Sequence, residues 1–314
     1  MRSARRFYRL TAALGVLGFG AAVLALGVAV RAIDFALPSG EAMLAACRRL
    51  VPESLDVRVV VVLSLGALGL LVLVRGGWSL LRQVHVTRRF VRRQTVLGAR
   101  EVGEWRVELV ASSRPQAFCA GLLHPRIYVS TGAWRSLSES ELHAVIAHER
   151  HHRRRLDPVR MLAARVLSDA LFFVPVMRRL DGRYGALAEV AADEAAIREK
   201  GAPALASALL TFGESKSPAA VVGIAPERVD HLLGRGVGWQ LPISILLASL
   251  LAIAGLVTLA LLGASLTGGG TMTLTELAIE SCMVAMVAVP LLAAAGLLPA
   301  LIRASAARLS FPGH

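Results

Sequence analysis

A chain of 314 residues, 55% hydrophobic and with a mean hydropathy of +0.60, carries too much apolar surface for an ordinary soluble enzyme and reads as an integral membrane protein. Its 35 Lys and Arg against 22 Asp and Glu give a formal net charge of +13. That excess gathers beside apolar stretches, which points to anionic lipid headgroups and away from nucleic acid as a direct partner.

Four apolar stretches are expected to span the bilayer, at about 11–30, 57–74, 242–264 and 277–302. They divide the chain into an N-terminal membrane region (1–76), a polar domain (77–240) and a C-terminal membrane region (241–314). The first stretch is longer than the roughly 7–15 residues of a signal-peptide core, so a retained signal anchor is expected. Arg2, Arg5, Arg6 and Arg9 precede it, and Arg75, Arg82, Arg88, Arg89, Arg92 and Arg93 follow the second, without an acid in either group. Residues 31–56 set Asp34, Glu41, Glu53 and Asp56 against Arg31, Arg48 and Arg49, and 265–276 carry no Lys or Arg. The positive-inside rule then places both termini and the polar domain in the cytoplasm of a cell membrane. Cys47, Cys119 and Cys282 fall in an outer loop, the domain and the last span, so no disulfide is predicted.

A basic helix around 78–96 is expected to continue the second span and to lie against headgroups. Trp105–Ala111 and Arg126–Ser130 are β-branched runs that read as strands, joined through residues 117–123. Such a small sheet could offer an edge to an extended peptide, or it could only support the helix that follows.

That helix, about Glu139–Arg155, is signalled by a capping box of Ser138 and Glu141 and a staple of Leu137 and Leu142. It carries His148-Glu149-Arg150-His151-His152, an H-E-x-x-H pattern. In a helix, residues four apart lie on one face with Cβ atoms about 5–6 Å apart, so His148 and His152 can grip one ion, expected to be zinc. Glu149 points elsewhere, toward a water on that ion, and is the expected general base. His151 projects to the other side and is read as a surface or outer-shell residue. The bland alternative is a solvated His/Arg-rich helix end.

Asp157-Pro158 ends this helix and starts another, with Asp157 as N-cap, running to about Phe173; Pro175 ends or kinks it, and 171–177 are candidates to dip into the bilayer surface. A helix from about Arg183 to Lys200, closed by Gly201, carries Glu189 and Asp193 one turn apart. A hydrolytic zinc site needs a third protein ligand and an open fourth position. Glu189 is the expected ligand, and Asp193 the carboxylate that orients a ligand histidine. Asp193 or Glu194 are the alternative ligands, ahead of Asp169 and Asp181. A further helix at 203–215, a linker at 216–226 and a short helix at 226–233 complete the domain. Arg198, Tyr184 and His231 are available to stabilise an oxyanion, but spacing selects none of them.

Residues 118–130, the run from Glu141 to His152, Asp157-Pro158 and the Glu189/Asp193 pair resemble the BlaR/MecR-type integral membrane zinc metallopeptidases, over about residues 105–235. The resemblance implies an α-helical membrane protein with four transmembrane helices and a cytoplasmic α+β zincin-like domain, built of a small sheet and the H-E-x-x-H helix. It also implies a zinc metalloendopeptidase acting on a protein or peptide, such as a transcriptional repressor. The chain ends shortly after its fourth apolar stretch, so a penicillin-binding sensor is not expected. HtpX-like quality-control proteases share the two-plus-two span arrangement and form the second family considered. A signal transducer that binds a cytosolic regulator without cutting it is the non-enzymatic alternative.

Overall fold

The computed structural model describes residues 2–36, 39–41, 56–214, 241–268, 270–279 and 281. In chain order its elements are α1 (Arg2–Ala32), β1 (Ile33–Asp34), α2 (Val57–Arg92), β2 (Val96–Val102), β3 (Trp105–Val110), β4 (Ala117–Ala120), β5 (Arg126–Ser130), α3 (Thr131–Ser136), α4 (Glu139–Arg155), α5 (Asp157–Ala170), α6 (Val176–Lys200), α7 (Ala202–Glu214), α8 (Ile243–Thr267) and β6 (Met272–Thr273). Among the described residues, three helices are long and apolar enough to cross a membrane: α1, α2 and α8. The expected fourth span falls outside the described residues apart from 277–279 and 281, as do the 216–226 linker and the 226–233 helix.

The chain forms two compact units. One comprises 21–70 and 254–314. Here α1 and α2 approach closely at Gly69, where a Cβ would stand 2.7 Å from that of Leu26 and 2.9 Å from the carbonyl oxygen of Ala22. Small residues permit such contact between helices that have no hydrophobic drive to associate in lipid. Ile33 and Asp34 pair in parallel with Met272 and Thr273.

The other unit, 1–20 and 71–253, holds a four-stranded sheet of order β2-β3-β5-β4. The β2–β3 and β4–β5 pairs are antiparallel, and β3–β5 is parallel. Two of these strands go beyond those expected from the sequence. β2 is exposed at six of its seven positions, and β4 is the four-residue Ala-Phe-Cys-Ala, so neither carries a β-branched alternation. β5, one of the two interior strands, is covered on both faces. Ile127 and Val129 meet Leu142, Val145 and Ile146 of α4, while Tyr128 packs with Val110, Ala120, Phe118 and Val91. Burying each of those α4 side chains stabilises the layer by roughly 2 kcal/mol.

α4 has the expected bounds, and both halves of its capping box are present: the Glu141 N–H donates to Ser138 Oγ at 3.4 Å, and the Ser138 N–H donates to Glu141 Oε2 at 2.7 Å. Its other face, Ala144 and Ala147, packs against Ala196 and Leu205. The helix stops at Leu156, which adopts the left-handed conformation (φ 54°) and whose N–H turns back to the carbonyls of His152 and Arg153.

Three expectations for the next segment need correction. Leu156, not Asp157, is the N-cap of α5, and the Asp157 side chain makes no cap, because it is drawn beneath α4. α5 ends at Ala170, and α6 begins at Val176 instead of about Arg183. Gly182 and Gly185 look like breakers, yet Val176, Met177, Leu180, Tyr184 and Leu187 recur at helical spacing and are buried, which carries the helix through them. Leu171, Val174, Val176 and Met177 are buried in protein, Leu171 against Gly18 of α1, and the Val176 N–H donates to Ser249 Oγ of α8 at 3.0 Å, which sets 171–177 beside two of the membrane-crossing helices.

Candidate metal centre

His148 and His152 come from successive turns of α4, and Glu189 comes from α6 alongside. Their ligand atoms lie within 4.8 Å of one another. The two Nε2 atoms are 3.1 Å apart, and Glu189 approaches them with Oε2 at 3.4 Å from His148 and Oε1 at 3.5 Å from His152. Each ring is held from behind by a buried carboxylate. Nδ1 of His148 stands 2.9 Å from Asp193 Oδ1, and Nδ1 of His152 stands 3.0 Å from Asp157 Oδ2. Asp193 is wholly buried and Asp157 nearly so. These neighbours assign the proton of each neutral ring to Nδ1 and leave the lone pair on Nε2.

That assignment gives a test of whether the residues suit a metal ion. Two Nε2 atoms and two carboxylate oxygens face one another, an arrangement that repels unless a proton or a cation lies at its centre. Two imidazoles and a carboxylate are a borderline-soft, three-ligand set of the kind hydrolytic zinc sites use. The electrostatics agree. Burial alone would depress His148, but Asp193 and Glu189 reverse this and push it up to about 10. The pocket thus favours positive charge.

A cleft of about 890 Å³ opens over this cluster. Glu149, His148, His152 and Glu189 lie on its wall together with the edge strand β4, Val86 and Phe90 of α2, and Leu205, Leu209 and Phe212 of α7. Phe90 is fixed against Phe118 of β4 at 5.0 Å, and Phe118 stacks on Tyr128 at 5.1 Å. Cys119 lines the same wall, and burial, aided by the charge of Glu149, pushes its thiol up to about 12.

The other sequence candidates lie elsewhere. Asp169 accepts from the Ser79 hydroxyl at 2.6 Å, and Arg75 donates to its carbonyl. Asp181 is outside the metal cluster, its carboxyl raised by burial. Glu194 stands 3.7 Å from Arg198 on α6, which leaves neither of them on the cleft wall. His151 is buried, contrary to the surface reading; burial, with His152 and Arg155 nearby, pushes it down to about 4 and keeps it neutral. Tyr184 is also buried, and its hydroxyl donates to Asp157 Oδ1 at 2.8 Å, so it is not free to meet an oxyanion. His231 is outside the described residues.

Sequence reasoning took Asp157 for a cap and missed its contact with His152. The available signal was an acid five residues after His152, across a helix break that folds the chain back on itself. It also missed α2 and α7 as cleft walls, because an apolar helix face looks the same whether it lines a cleft or a core.

The family model for BlaR1 peptidase M56 matches residues 53–231, more than half of the chain. The protein belongs to the M56 peptidase family. No curated protein and no solved structure gives a significant match. An M56 peptidase with three helices of membrane-crossing length among its described residues is a membrane peptidase of the metallopeptidase kind, and the His-His-Glu cluster sits within the matched region.

Proposed function

We propose that this M56 member is a zinc-dependent endopeptidase that cuts a protein substrate at the cytoplasmic face of the cell membrane, with His148, His152 and Glu189 as ligands and Glu149 as general base. The observation that carries the reading is the convergence of these four side chains in a cleft that is also lined by β4, a sheet edge with no partner strand on its outer side among the described residues. A zinc ion held there would supply the Lewis acidity that activates water and the scissile carbonyl. Glu149 takes the proton of the attacking water and returns it to the leaving nitrogen. Asp157 and Asp193 hold the two rings in the tautomer that directs Nε2 to the ion. β4 offers its outer edge to an extended peptide, whose backbone pairing would lay the scissile bond across the cluster.

The exposed Arg82, Arg88, Arg89 and Arg92 of α2, with Arg93 just after it, support an orientation with the domain against the anionic inner leaflet. A repressor or another membrane-proximal protein is the proposed substrate class. The test is Glu149→Gln in purified full-length protein, assayed on a proteome-derived peptide library with cleavage read by mass spectrometry. Zinc content should stay stoichiometric while cleavage falls about 10²- to 10⁴-fold. Undiminished cleavage, or wild-type protein without stoichiometric zinc, overturns the reading.

A further inference from the structure

His152 is not anchored by Asp157 alone. Asp157 Oδ2 accepts from His152 Nδ1 at 3.0 Å, and its other oxygen, Oδ1, accepts from the hydroxyl of Tyr184 at 2.8 Å. Tyr184, from α6, is fully buried, and its ring lies 5.4 Å from that of Tyr8 on α1. Arg160 of α5 closes the group: its guanidinium lies 5.2 Å over the Tyr8 ring and beside the Tyr184 hydroxyl. A chain of contacts therefore runs from α1 through Tyr8, Tyr184 and Asp157 to His152, with every link within one compact unit.

α1 has 31 residues, about 46 Å of helix against about 30 Å of hydrocarbon, so its first turns reach beyond the span and carry Tyr8 to the domain. It is seated there closely. At Gly15 a Cβ would stand 2.6 Å from Leu167 Cδ1 of α5. The buried Asp157 carboxylate takes hydrogen bonds of defined direction from His152 and Tyr184, with Arg155 Nε a longer 3.8 Å from the same Oδ1 that Tyr184 meets, so Tyr184 supplies the short contact that fixes its rotation and with it the plane of the His152 imidazole.

We propose that Tyr184 is a positioning residue for the metal centre and that α1, through Tyr8, holds it in place, so that the first membrane helix sets how tightly the centre grips its ion. The inference rests on the metallopeptidase reading and assigns to that site a means of control from the membrane. A displacement of α1 would free Tyr184, let Asp157 turn and loosen His152, while His148, held separately by Asp193, keeps its place.

The experiment uses full-length protein in lipid nanodiscs and measures zinc affinity by competition with a chromophoric chelator, together with the visible absorption of the cobalt-substituted protein. Tyr184→Phe removes only the hydroxyl. It should weaken zinc binding roughly 10-fold and alter the cobalt spectrum, with the circular dichroism of the metal-free protein unchanged. Tyr8→Ala should weaken binding in the same direction, roughly threefold, while Tyr8→Phe keeps the ring contact and the wild-type affinity. Wild-type affinity and spectrum in Tyr184→Phe overturn the proposal, and wild-type values in Tyr8→Ala overturn the part assigned to α1. Should Tyr184→Phe fail to fold, the two Tyr8 variants decide alone, equal affinities counting against the proposal. Wild-type protein that holds no zinc would instead defeat the underlying metallopeptidase reading.

Discussion

Replacing Asp193 by Asn tests the centre most directly. Asp193 is wholly buried, and its Oδ1 lies 2.9 Å from Nδ1 of His148. A hydrogen bond to a charged partner contributes about 1.5–3 kcal/mol and a neutral one about 0.5–1.5 kcal/mol, so the exchange should cost about 1–1.5 kcal/mol. That corresponds to roughly 10-fold weaker zinc binding. Asp193→Ala leaves the buried Nδ1–H without an acceptor, and the loss should grow toward roughly 100-fold. Chelator competition on the purified full-length protein measures both. Asp169→Asn is the control, since that carboxylate is engaged by Ser79 and should leave zinc affinity unchanged. If both Asp193 variants bound zinc within a factor of two of wild type, or Asn proved worse than Ala, Asp193 would not be orienting His148.

Two further outcomes follow from the packing around the cleft. At Gly132 an added Cβ would stand 2.2 Å from the carbonyl oxygen of Ser113, a backbone atom that cannot swing away, so Gly132→Ala should cost more than about 2 kcal/mol and lower the thermal midpoint of the detergent-solubilised protein by several degrees. Cys119, pushed up to about 12, should stay a thiol at pH 8; in a chain with Cys47 and Cys282 replaced by Ser, its alkylation by iodoacetamide should be at least about 100-fold slower than after denaturation, and equal rates would refute its placement.

Much of the centre can be read along one helix. The capping box fixes where α4 begins, its period puts His148 and His152 on one side, and a helix carrying an acid pair supplies Glu189 and Asp193. What the sequence conceals depends on contacts between elements. β4 is recognisable only by its pairing with β5, because Ala-Phe-Cys-Ala has no strand pattern of its own. Asp157 before a proline reads as a cap by local rules, and only the left-handed Leu156 brings it under His152. His151 looked exposed because the helix in isolation has an outside there, whereas in the fold that side is covered. The early start of α6 was hidden by two glycines whose local cost is outweighed by the buried side chains around them.

The Leu156 corner fixes a length as well as a direction. One residue separates the helix that carries the histidines from the acid that steers the second of them. Adding or deleting a residue there would turn Asp157 by about 100° around its own helix and carry its oxygens away from the imidazole. Surface corners usually absorb insertions with little penalty. This one, although Leu156 itself is 44% exposed, should tolerate changes of side chain far better than changes of chain length.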